Sequence, residues 1–117
     1  MSTTVAIPAP PDFGPNTDDV LRIIRKIGSA LSPKAIILFG SRARGEARPD
    51  SDVDLLVVWR DETPPAFRSA EVRRAIGRQG LPMDVAVVTP SEFDRLRNRK
   101  AHIVGIAARE GILVHGA

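Results

Sequence analysis

Residues 52–59 read DVDLLVVW, an apolar run entered through two aspartates. Its length and its late β-branched residues fit a buried strand. Carboxylates are costly to bury unless they are paired or bound to a cation. The strand must therefore run through the interior while its first residues reach a rim. Residues two apart on a strand share a face, so Asp52 and Asp54 project together, about 6.5 Å apart along the chain. Val53, Leu55 and Val57 take the opposite face. Like charges so placed raise each other's pKa, and hard divalent ions that take oxygen ligands relieve them. Asp84 holds the same early place in the run MDVAVV at 83–88. If the two runs lie side by side, it joins the pair. Three acids of this kind can hold two ions about 3.5–4 Å apart, a clamp for the attacking and leaving oxygens of a phosphoryl or nucleotidyl transfer.

The segments around these runs supply the rest of a fold. Residues 1–16 carry four prolines and no periodicity, so they read as a flexible Pro-rich tail, leaving 17–117 as one domain. Thr17 is the expected N-cap of a helix whose apolar face is Val20, Ile23, Ile24, Ile27 and Leu31. Ala35–Phe39 (AIILF) is a short buried strand, and 40–46 opens a short helix that breaks at Gly45. Thr63 followed by Pro64 predicts a helix start, running to about Arg78. Thr89-Pro90-Ser91-Glu92 has the form of a capping box. The helical stripe of Phe93 and Leu96 breaks near Asn98–Lys100 and resumes at Ile103, Ile106 and Ala107. Ile112–His115 forms a last edge strand. The expected class is α/β (α+β): a small mixed β-sheet with helices packed on one face.

Composition narrows the functions. There is no cysteine, and the two histidines, His102 and His115, are far apart. Thiolate zinc chemistry is excluded, a histidine metal centre is disfavoured, and both histidines read as structural. No apolar run approaches the roughly 20 residues of a membrane span, which points to a cytoplasmic protein with no membrane partner. The net charge of +3 is carried by arginine, inviting phosphate-bearing ligands. With one Trp, four Phe and no Tyr, stacking platforms are few, so direct nucleic-acid binding is disfavoured. Between the two strands lies a candidate phosphate cradle. Gly40 allows close backbone approach, Ser41 opens a helix and adds a hydroxyl, and Arg42 or Arg44 can neutralise a triphosphate.

The whole stretch GSRARGEARPDSDVDLLVV resembles the G-S-x-A-x-G … S-D-x-D-L signature of the DNA polymerase beta-type nucleotidyltransferase superfamily. It is most similar to the small minimal nucleotidyltransferase (MNT) domains. The likeness extends from about Thr17 to the REGILVHG end. It implies a polymerase beta-type palm, with Gly40 and Ser41 as the phosphate-binding pair and Asp52, Asp54 and Asp84 as metal-binding catalytic acids. It also implies two Mg²⁺ ions, with Mn²⁺ as a substitute, and ATP as donor of AMP to an acceptor hydroxyl. Larger relatives carry a further domain for the acceptor, and this chain has no room for one. A partner must then present it, and the family's habit is a HEPN-domain toxin, which casts this chain as an antitoxin. A homo-oligomer is also compatible. The alternatives are a binding module that neutralises such a toxin by capture alone, and a small-molecule or RNA nucleotidyltransferase.

Overall fold

Every residue of Ala35–Phe39 is buried, so the sheet that contains this strand needs cover on both of its faces. The computed structural model describes residues 12–116 and provides that cover. Its elements are α1 (Thr17–Leu31), β1 (Ala35–Phe39), α2 (Ser41–Arg44), β2 (Val53–Val58), α3 (Arg68–Ile76), β3 (Met83–Val88), α4 (Pro90–Leu96), α5 (Ile103–Glu110) and β4 (Ile112–Gly116). The strands form one sheet in the order β3-β2-β1-β4. β1 is antiparallel to both β2 and β4. β2 and β3 are parallel, as a strand–helix–strand crossover requires.

The mixed α/β architecture expected from the sequence is the one found. The placement of all helices on one face is corrected. Ile36, Leu38, Val53, Leu55 and Val57 pack with Val20, Ile23, Ile24 and Ile27 of α1 and Val72 and Ile76 of α3. Ala35, Ile37, Phe39, Leu56 and Val58 pack on the other face with Phe93 and Leu96 of α4 and Val104 and Ala107 of α5. Strands apolar at consecutive positions bury both sides, and a one-sided layer would leave half of β1 in water. No helix of the described residues is long and apolar enough to cross a membrane.

Two helix starts also differ. Thr17 is the first residue of α1, not its cap, because its hydroxyl donates to the Gly14 carbonyl and accepts from the Phe13 N–H. Asn16, in the left-handed region at φ 66°, precedes the helix. Thr63 does not start α3. Its N–H and hydroxyl both go to Asp61 Oδ1, and Pro65 steers Pro64 away from helical geometry. The helix begins at Arg68. The capping box at Thr89 and Glu92 is present with both of its hydrogen bonds. The break between α4 and α5 falls where expected. Gly105 sits so close to the Arg99 carbonyl that a Cβ there would overlap it, and His102 caps α5 through Nδ1. Of the tail expected at 1–16, residues 1–11 lie outside the described residues. Residues 12–16 are fastened to the domain, with Phe13 only 6% exposed in the core.

Candidate active site

Three strand ends meet on one edge of the sheet. β1 finishes at Phe39, directly opposite Asp54 of β2, and Asp54 is the parallel partner of Asp84 in β3. Asp52 lies one residue before β2. The pleat turns Asp52, Asp54 and Asp84 to the face that carries Leu56 and Val58 further along. Each acid offers a carboxylate oxygen, and the three oxygens lie within 4.8 Å of one another. Asp52 and Asp84 are exposed, while Asp54 between them is half-buried. The sequence expectation that these acids converge is thus met in the geometry.

Asp54 is the electrostatic centre of the group. Its pKa is raised, first by burial and then by the carboxylates of Asp84 and Asp52, while Arg44 pulls it down. Such a trio is unfavourable while all three are ionised and no cation is present. The donor set is oxygen only, convergent and partly solvent-open, which fits a hard divalent cation such as Mg²⁺ or Mn²⁺. Two clefts of about 370 and 360 Å³ are lined by other residues. The acids stand on an open rim.

The cradle residues fare differently from one another. Gly40 has φ 78° and ψ −158°, a region for glycine alone, and a Cβ there would overlap Asp54 Oδ2. Its close approach is therefore to the acid itself. Ser41 is the first residue of α2, whose opening N–H groups have no acceptor within the helix. Arg44, on the last turn, pairs with Glu46 at 2.8 Å and lies 3.9 Å from Glu110. Its pKa is raised, chiefly by the hydrogen bond to Glu46, with Glu110 and Asp54 contributing by charge. It therefore borders the trio and keeps its full charge.

Arg42 is corrected. It is 1% exposed, and its guanidinium donates to the carbonyls of Phe13, Pro15 and Ser51. A group so enclosed and committed is not offered to a triphosphate. Sequence reasoning could not separate Arg42 from Arg44, because alternate residues on one turn differ only in the side they face. It also missed Glu110, which reaches Arg44 from the end of α5. The Arg-Glu pair just before Gly111 gave no signal of that long-range contact.

The model of the nucleotidyltransferase domain family matches residues 19–114. None of the curated proteins matches the chain. Among solved structures, a candidate nucleotidyltransferase from Sulfolobus solfataricus aligns over 81% of this chain and 76% of its own. The identity is 22% and the TM-score 0.53. A chain of a toxin–antitoxin assembly solved with AMP-PNP aligns over 83% of this chain and 73% of its own, with 22% identity and a TM-score of 0.54. At that identity the likeness is one of fold.

Proposed function

Because this chain belongs to the nucleotidyltransferase domain family, we propose that it transfers AMP from ATP to a hydroxyl on a partner protein. The observation that carries this reading is the convergence of Asp52, Asp54 and Asp84 on an open rim beside the Gly40–Ser41 turn. In the reaction the acceptor oxygen forms a bond to the α-phosphorus. The bond from that phosphorus to the bridging oxygen breaks, and pyrophosphate leaves with the electron pair. The acceptor proton passes to a carboxylate or to water.

The three acids are the residues that would hold Mg²⁺ or Mn²⁺. A cation bound there supplies charge compensation for the triphosphate and for the departing pyrophosphate. The chain's own groups do the positioning. The first N–H groups of α2 and the Ser41 hydroxyl bind phosphate oxygens. Arg44 adds a fixed positive charge from the flank. Asp84, exposed at its strand end, accepts a hydrogen bond from the acceptor hydroxyl and orients it toward the phosphorus.

A protein acceptor is supported by the openness of the rim, which leaves room for a side chain on a large surface. A similar fold within a toxin–antitoxin assembly supports the antitoxin role, and a HEPN-domain toxin in the cytoplasm is the partner that role implies. The test is incubation of the chain and its co-expressed partner with α-labelled ATP and Mg²⁺. Label on the partner, lost in Asp54→Asn while the complex persists, is expected. If Asp54→Asn neutralises the partner as well as the wild type at equal expression, capture without transfer is the function.

A further inference from the structure

One guanidinium ties together three parts of the chain around the site. Arg42 follows Ser41, the residue that opens the cradle. Its Nη2 donates to the Ser51 carbonyl at 3.0 Å, in the peptide that leads into Asp52. Its Nη1 donates to the Phe13 carbonyl at 3.1 Å and also to that of Pro15. The segment it grips is itself anchored, by the Phe13 ring in the core and by Asn16 on the Pro49 carbonyl. Asp52 lies outside the β2 ladder, whose first residue, Val53, donates to the Pro82 carbonyl. The peptide that aims the Asp52 carboxylate therefore has Arg42 as its support.

The geometry points to Arg42 as a positioning residue that fixes Asp52 for cation binding, with the Phe13–Pro15 segment as its backstop. The inference rests on the active-site reading above. A buried guanidinium with no carboxylate partner among the described residues is a costly way to fill space, and an apolar side chain would fill it more cheaply. What the guanidinium adds is a rigid fork with donors fixed in direction. Its action on the acids is mechanical: the charged groups that shift Asp54 are Asp84, Asp52 and Arg44, and Arg42 is not among them. The Nε of Arg42 is buried without a partner, so the fork is held by its two terminal nitrogens alone.

The test reads binding of Mn²⁺ alone, by the loss of the free-ion electron paramagnetic resonance signal. Groups that orient metal ligands from behind commonly change metal affinity about 10–100-fold when removed. Arg42→Met is expected to raise the Mn²⁺ dissociation constant by roughly that factor. Arg42→Lys, which keeps the charge without the fork, should fall between it and the wild type. Phe13→Ala should shift affinity in the same direction with Arg42 intact, and it covers the case in which Arg42→Met does not fold. Val72→Ala, a core change between α1 and α3, should lower the melting temperature and leave Mn²⁺ affinity unchanged. Wild-type affinity in the folded Arg42 variants overturns this inference alone, as does an equal affinity loss in Val72→Ala. If the wild type binds Mn²⁺ no better than an Asp52→Asn/Asp54→Asn double variant, the active-site reading falls, and this inference with it.

Discussion

Gly40 and Asp54 pack so closely that a Cβ on the glycine would lie 3.0 Å from the aspartate Cγ and overlap its Oδ2. The turn that opens the cradle and the acid at the centre of the trio are one unit. Gly40→Ala therefore introduces two faults: a side chain at φ 78° and a displaced carboxylate. Backbone strain of this kind costs about 1–3 kcal/mol. We expect a lower melting temperature together with loss of Mn²⁺ binding, measured by calorimetry on the same sample. A stable Gly40→Ala protein with normal Mn²⁺ affinity would contradict the packing.

Asp54 should make the metal-free protein sensitive to pH. Its folded-state pKa is raised by burial, Asp84 and Asp52. The folded state therefore holds the proton more tightly than the unfolded chain. Stability is highest below the ordinary carboxylate pKa and falls as pH rises through the raised value. Asp54→Asn removes that loss, so without divalent ions it should melt higher than the wild type near neutral pH. The two should converge toward pH 4, and Mg²⁺ should reverse their order. Thermal melts across pH, with and without Mg²⁺, check this. Transfer by the variant should fall ~10²–10³-fold or more.

The opposite sign belongs to Glu92. The Thr89 backbone N–H holds its pKa down, with Arg68 assisting. That contribution is present above the unfolded pKa and is lost as pH falls through the folded value. Glu92→Gln should flatten the acid side of the stability profile. Thr89→Ala should cost about 1 kcal/mol, the usual worth of a cap. Thr89 follows β3 at the end of the sheet away from the acids, so nucleotide binding should be unchanged in both variants.

The arginines divide into two groups. Arg44 borders Asp54, whereas Arg95, Arg97, Arg99 and Lys100 lie on α4 and the turn into α5. Arg44→Ala should raise the KM for MgATP roughly tenfold or more, the range of a lost charged hydrogen bond. Neutralising Arg95, Arg97, Arg99 and Lys100 together should leave it within about twofold, since the charges that act on Asp54 are Asp84, Asp52 and Arg44 and none of these four and exposed charges are screened by salt. If the second set weakens ATP binding and Arg44→Ala does not, the cradle has been assigned to the wrong flank.

What was legible in the sequence was local. The run at 83–88 became β3 to the residue, the capping box at Thr89 formed, and the helical stripe broke near Asn98, because each signal is contained within a few neighbouring residues. The convergence of Asp52, Asp54 and Asp84 followed from strand periodicity plus one assumption about which strands pair. Arg42 was not legible, because nothing local distinguishes a buried guanidinium from a surface one. The start of α3 was misread because Thr63-Pro64 was weighed without Asp61 and Pro65, which compete for the same backbone. The two-sided cover of the sheet was already implied by five consecutive apolar residues in β1.

β2 and β3 pair residue for residue, from Val53 with Met83 to Val58 with Val88. A slip of one residue in that ladder would turn Asp84 through the sheet to the α3 side. A slip of two would keep its face but move it about 6.6 Å from its neighbours. The trio thus exists in a single register, and this constrains how the gene can change length. Insertions between Pro64 and Phe67, ahead of α3, leave the ladder intact and should be tolerated. Deletion of one codon within Val85–Val88, after Asp84, should yield a chain that still collapses around its core but has its third acid facing the wrong way.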